Sequence, residues 1–133
     1  MKPDKKEILI TGECILKDIQ NTFSAFYPFL KIEFLESNAR SKSQRRITVH
    51  SHTSLNKLKN IHEPQKISVE NNRTVAEVSK DLENSLGLVV EMSRKSGNVW
   101  NVISVTDGWT LENQNASGQF ISSVMTVPFR GDQ

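Results

Sequence analysis

His50-x-His52, followed by His62-Glu63, is the cluster in this chain whose residue types suit a metal ion. Alternate residues of a strand share a face, so two imidazoles there could meet one cation. With Ile47 and Val49 facing a core, however, both histidines point away from it, beside the cationic Arg46. No third or fourth ligand is specified, so no metal is expected. Cys14 falls at the start of a helical stretch, the setting of many nucleophilic thiols. The bases offered in that half are His50 and His52, and no local motif joins them to it. A small buried hydrophobe is the expectation there. Gly12 stands between a strand and a helix, but a single glycine with Glu13 beside it lacks the phosphate-loop fingerprint. No catalytic residue and no cofactor is assigned.

Two further segments could bind rather than react. Arg40, Lys42, Arg45 and Arg46 could contact phosphates, yet no aromatic residues interleave with them to stack on bases. A solvated loop is expected, and nucleic acid is not the favoured partner. The segment Arg94-Lys95-Ser96-Gly97-Asn98-Val99-Trp100, with Thr106-Asp107-Gly108-Trp109-Thr110-Leu111 after it, holds both tryptophans, a basic hairpin tip and an Asp-Gly turn. Tryptophan and arginine anchor interfaces and pockets. Arg94, Lys95, Trp100, Asp107 and Trp109 are therefore the binding candidates. The competing reading has Trp100 packed under a sheet and Trp109 stapling a turn.

Composition narrows the class. At 133 residues the chain suits one filled core and is short for two ordinary domains. Hydrophobic residues at 36% and charged residues at 24% mark a globular chain, not a disordered one. The formal charge of +2 is too small to imply a nucleic-acid partner. One cysteine excludes an internal disulfide and points to a reducing compartment. No apolar run follows Met1–Glu7 in the manner of a signal peptide, and none reaches membrane-spanning length. A cytoplasmic location and no membrane partner are expected.

The elements that must position these residues come in two similar sets. Ile8-Leu9-Ile10, then Leu16, Ile19 and Phe23, then Leu30, Ile32 and Phe34, return roughly 59 residues later. The second set is Ile67-Ser68-Val69, then Val75, Val78 and Leu82, then Leu88, Val90 and Met92. The middle group of each has helical spacing and the flanking groups alternate as strands do. Pro28 ends the first helix near Phe26. Thr74-x-x-Glu77 forms a capping box at the start of the second, and Gly87 supplies its left-handed end. Each set continues into another strand-like run (Arg46–Val49; Val99–Val105) and a Ser/Thr-Leu turn (Ser54-Leu55; Thr110-Leu111). Residues 36–44 read as a solvated loop, and Arg94–Asn98 as a hairpin turn. After Gly118, the apolar run Phe120, Ile121, Val124, Met125, Val127 and Phe129 reads as an added strand over about 119–129.

The stretch Ser79-Lys80-Asp81-Leu82 to Leu86-Gly87-Leu88-Val89-Val90 resembles the helix-to-strand step of the glyoxalase/bleomycin-resistance family. That resemblance implies a metal site or small-molecule cavity in a curled sheet. The strands Ile8–Ile10 and Ile67–Val69 carry none of the family's His, Gln or Glu ligands. Over its whole length the chain is similar to small bacterial proteins of unassigned activity, with tandem β-α-β-β units and an Arg-Lys-Ser-Gly…Trp…Thr-Asp-x-Trp-Thr-Leu ending, here Arg94–Leu111. That likeness implies fold and cytosolic location, and nothing catalytic.

The expected architecture is α+β: a two-layer α/β sandwich of two tandem β-α-β-β repeats, about 7–60 and 66–116. They form one domain, 1–133, with a mixed sheet and both helices on one face. The expected function is a non-enzymatic interaction module that self-associates through a sheet edge or the added strand, as a homodimer or with a protein partner. The alternatives are a small-molecule-binding or metal-dependent enzyme of glyoxalase-like type, and a weak nucleic-acid binder through residues 40–46.

Overall fold

Pro28 and the alternation that follows it set the first three elements. In a computed structural model that describes residues 5–36, 47–59 and 61–126, β1 (Glu7–Ile10) turns into α1 (Leu16–Phe26). The last turn of α1 closes with Tyr27 N–H donating to Phe23 O at 2.9 Å. β2 (Leu30–Leu35) then buries Leu30, Ile32 and Phe34. At the N-terminus of α1 the Asp18 carboxylate accepts from Ile15 N–H at 3.0 Å, half of a capping box, because Ile15 has no side-chain acceptor.

The short helix α2 (Leu55–Leu58) and β3 (Gln65–Ser68) lead to α3 (Val75–Leu86). Here the box is complete. Glu77 N–H donates to Thr74 Oγ1 at 3.1 Å and Thr74 N–H donates to Glu77 Oε1 at 3.0 Å. Gly87 closes the helix at φ 73°, where a side chain would be strained. β4 (Val89–Ser96) and β5 (Val99–Val102) form a hairpin through Gly97-Asn98, and α4 (Leu111–Thr126) ends the described chain.

The fold is α+β, but the pairing is not one mixed sheet. β1 pairs antiparallel with β3, and β2-β4-β5 form a separate antiparallel sheet. β1 and β2 therefore belong to different sheets, so the rule that a short crossover joins parallel neighbours finds nothing to act on. First strands pair with each other and second strands likewise. Ile8 faces Ile67 and Glu33 faces Glu91, positions that the sequence spacing also matches. Leu16, Ile19 and Phe23 of α1 and Val75, Val78 and Leu82 of α3 share one buried cluster with the strands.

Each helix start is tied down by the same set of backbone bonds. The first two free N–H groups of α1, on Leu16 and Lys17, donate to Thr53 O and Ser51 O at 3.1 and 2.7 Å. Those of α3, on Val75 and Ala76, donate to Trp109 O and Asp107 O at 3.2 and 2.9 Å. In return Leu55 N–H bonds to Cys14 O, and Leu111 N–H to Arg73 O. Both leucines are fully buried, which explains why each half needs its Ser/Thr-Leu turn.

Two expected strands change. Thr48 makes a single bridge to Leu35, and Arg46 lies outside the described residues. The other strand of the hairpin stops at Val102, although Ile103 N–H still donates to Met92 O at 2.9 Å. Residues 37–46, including most of the 36–44 loop and the basic cluster, lie outside the described residues as well.

The larger correction concerns the expected strand over 119–129. Residues 111–126 are helical, and Val127 and Phe129 lie outside the described residues. Thr110 starts α4, its Oγ1 accepting from Asn113 N–H at 3.2 Å. Gly118 permits close approach to the sheet. A Cβ there would stand 3.0 Å from Phe29 Cβ and 3.2 Å from Lys95 O. Asn115 Oδ1 accepts from Phe29 N–H at 2.8 Å, and Gly97 N–H donates to Ser122 Oγ at 3.1 Å. The polar residues Asn115 and Ser122 fasten the helix to the sheet.

Candidate functional site

The five binding candidates divide between the two faces of the β2-β4-β5 sheet. Arg94 follows Val90 and Met92 on the helix-bearing face. Its Nη1 donates to Gln114 Oε1 at 3.0 Å and its guanidinium carbon lies 5.9 Å from the Trp109 ring centroid. The buried Arg94 Nε has no hydrogen-bond partner among the described residues. Lys95 and Trp100 are cross-strand neighbours on the opposite face, where Lys31 Nζ stands 4.9 Å above the Trp100 ring. Asp107 and Trp109 serve structure through their backbones, since their carbonyls cap α3. The structure thus joins Arg94 to Trp109 and Lys95 to Trp100, and leaves Asp107 apart from both pairs.

Asp107 lies at one end of an open groove of about 440 Å³ between α3 and the β4–β5 hairpin. Its floor includes Met92 and Ile103, and Lys80 and Glu83 stand on the α3 wall. Glu83 is already engaged, with Oε2 accepting from Val90 N–H at 2.9 Å. The groove belongs to the second half of the chain, not to a space between the halves. Nothing in the sequence pattern singles out Lys80 or Glu83, because both look like ordinary residues of a solvated helix face.

His50 and His52 occupy an exposed turn with ring centroids 5.5 Å apart, and His52 N–H donates to His50 Nδ1 at 3.1 Å. Among the described residues no three His, Cys, Asp or Glu side chains gather as a metal site. Cys14 is half-buried against the core and its Sγ lies 3.1 Å from Thr11 Oγ1. No described helix is long and apolar enough to cross a membrane.

A polar junction that the sequence did not disclose forms around Tyr27. Its hydroxyl donates to Val69 O at 2.6 Å and lies 2.9 Å from Asn71 Oδ1, and Lys6 Nζ stands 5.1 Å over its ring. Burial, then the carboxylates of Glu70 and Glu112, push the phenol pKa up to about 12. The folded state therefore holds this proton more tightly than an unfolded tyrosine with its pKa near 10. The stabilisation is complete below about pH 10 and is lost as the pH rises through about 12. Urea midpoints measured across this range should fall more steeply for the parent protein than for Tyr27→Phe. Parallel curves would show that the phenol does not titrate with folding.

The remaining candidate is a surface. Helix α4 buries Leu111, Gln114, Gly118 and Ser122, a mostly polar and small stripe. It exposes Phe120 at 69%, Val124 at 58% and Met125 at 59%. Gln114 is fully buried because its amide donates to Thr106 O and Thr106 Oγ1 at 2.7 and 3.0 Å. Beside α4, Met125 packs against Gly97 at the hairpin tip, and Val99 and Val102 of β5 are half-exposed. Val105 is 95% exposed in the following turn. No protein-family model matches the chain, and no curated protein or solved structure matches it either.

Proposed function

We propose that this protein is a non-enzymatic interaction module that associates with itself. The observation that carries the reading is the group of apolar side chains, Phe120, Val124 and Met125, that α4 turns to solvent. A helix at a protein surface normally turns its apolar side inward. Here the inward side is held by hydrogen bonds of Gln114, Asn115 and Ser122, and the phenyl, isopropyl and thioether groups face outward. Adjacent exposed apolar side chains of this kind mark contact surfaces. The recurring helix-start bonds and the matched registers support a scaffold of two tandem β-α-β-β units, on which the second unit carries the longer final helix. The single cysteine supports a reducing, cytoplasmic setting.

Sedimentation velocity tests the proposal. The parent protein should self-associate at micromolar concentration. Phe120→Asp combined with Val124→Asp should weaken that association at least about tenfold, because burying each side chain is worth about 1.5–3 kcal/mol. Both side chains are exposed, so far-UV circular dichroism should not change. A parent protein that stays monomeric, or a double variant that associates undiminished, would overturn the reading.

A further inference from the structure

We propose that the second copy joins at the outer edge of β5, antiparallel and centred on Asn101, so that the strand order β2-β4-β5 continues into β5-β4-β2 of its twin. This rests on the self-association proposed above and adds a strand contact to the α4 surface, which adjoins the hairpin tip through Met125. The hydrogen-bond phase of the hairpin supplies the register. Ile103 N–H bonds back to Met92, and ladder partners alternate along an antiparallel pair. Val99, Asn101 and Ile103 therefore aim their backbone groups at β4, and Trp100 and Val102 aim theirs outward. Among the described residues no strand occupies that edge.

An antiparallel pair about Asn101 sets Trp100 of each copy opposite Val102 of the other. All four outward N–H and C=O pairs are then used, which a register centred on Trp100 does not achieve. The same operation sets Val99 opposite Ile103 and Asn101 opposite itself. The segment Val-Trp-Asn-Val-Ile reads alike in both directions as apolar, apolar, amide, apolar, apolar. Aromatic and β-branched residues directly opposite one another stabilise a sheet, whereas like charges opposed across the two-fold would destabilise it. β5 carries no charge, so nothing in it repels its own copy.

The other strands are defended differently. β2 carries Lys31 and Glu33 and is bridged by Thr48, while β1 carries Glu7 and its partner β3 carries Lys66. Charged residues of this kind blunt sheet edges against pairing. A five-residue strand pair covers less than the roughly 800 Å² per partner of stable interfaces. The flanking apolar groups extend it. The two-fold brings the hairpin tip of one copy, with Met125 packed against Gly97, toward the Ser104–Val105 turn of the other, where Val105 is 95% exposed.

Cross-linking reads the register directly. In this arrangement the two Asn101 Cα atoms form a non-hydrogen-bonded pair about 4.5 Å apart, within the roughly 4.4–6.8 Å a disulfide spans. Cys14→Ser retains a hydroxyl near Thr11 Oγ1 and removes the native thiol. Cys14→Ser with Asn101→Cys, treated with oxidised glutathione at micromolar protein, should run as a covalent dimer on a non-reducing gel. Cys14→Ser with Lys57→Cys, an exposed position on α2, should not. Asn101→Asp should weaken sedimentation-detected association at least about tenfold, with partial recovery at high salt as the opposed carboxylates are screened. Association of the parent without cross-linking through position 101 and without an Asn101→Asp effect overturns this register and leaves self-association standing. A monomeric parent overturns both.

Discussion

Phe23→Ala is expected to lower the free energy of unfolding by about 3–5 kcal/mol, as measured by urea denaturation. Phe23 is fully buried in the middle of α1, its ring tilted at 45° against Tyr27 with centroids 5.4 Å apart. Truncation removes the ring from a cluster shared by both helices and both sheets, and the surrounding strands cannot close the space without giving up their registers. Domains of this size are stable by about 5–15 kcal/mol in all, so the variant should be close to unfolding. Phe120→Ala is the control. That ring is 69% exposed, and its loss should stay within about 0.5 kcal/mol in the monomer. A small loss at Phe23 together with a large one at Phe120 would contradict the burial assigned to both.

Gly118→Val should destabilise by about 1–3 kcal/mol even though a mid-helix glycine is normally a weak point. An added Cβ would meet Phe29 Cβ, Arg94 Cγ and the Lys95 carbonyl at 3.0–3.2 Å, and the last of these is backbone that cannot rotate aside. α4 would have to lift from β4, loosening the Asn115–Phe29 and Ser122–Gly97 bonds. Thermal denaturation followed at 222 nm separates the outcomes. A gain in melting temperature would mean that helix propensity wins and that α4 does not lie so close to the sheet.

These two glycine and phenylalanine positions show where the sequence was readable. Local rules sufficed for α1, which ends at Phe26 before Pro28, and for α3, whose Thr74–Glu77 box and Gly87 end appear in the structure where their chemistry requires them. Each depends on residues within a few positions of one another. Alternation in Leu30–Phe34 and Val90–Met92 likewise named the inward side chains. α4 was not readable, because its inward stripe is mostly polar and small and its outward side mixes Phe120, Val124 and Met125 with Glu112, Asn113, Gln119 and Ser123. Periodicity reports a helix only when its apolar residues gather on one side, and those of α4 do not. Asn115, Gly118 and Ser122 look like turn residues until Phe29, Lys95 and Gly97 stand beside them.

The binding candidates are divided by the fold for a related reason. Arg94, Lys95, Trp100, Asp107 and Trp109 were grouped by closeness along the chain. Strand alternation sends Arg94 and Lys95 to opposite faces, and the cap of α3 uses the backbone of Asp107 and Trp109. No sequence signal marked the Tyr27 hydroxyl, whose partners lie 42 and 44 residues away.

The positions of α1 and α3, the inward strand residues and the α+β class followed from amino-acid order, since periodicity, caps and prolines act over a turn or two of chain. Which strands became neighbours and why a polar stripe lies buried were settled by contacts between distant segments. Hydrogen bonds across such distances are satisfied by geometry that no local spacing encodes, and the outward face of α4 exists because of them.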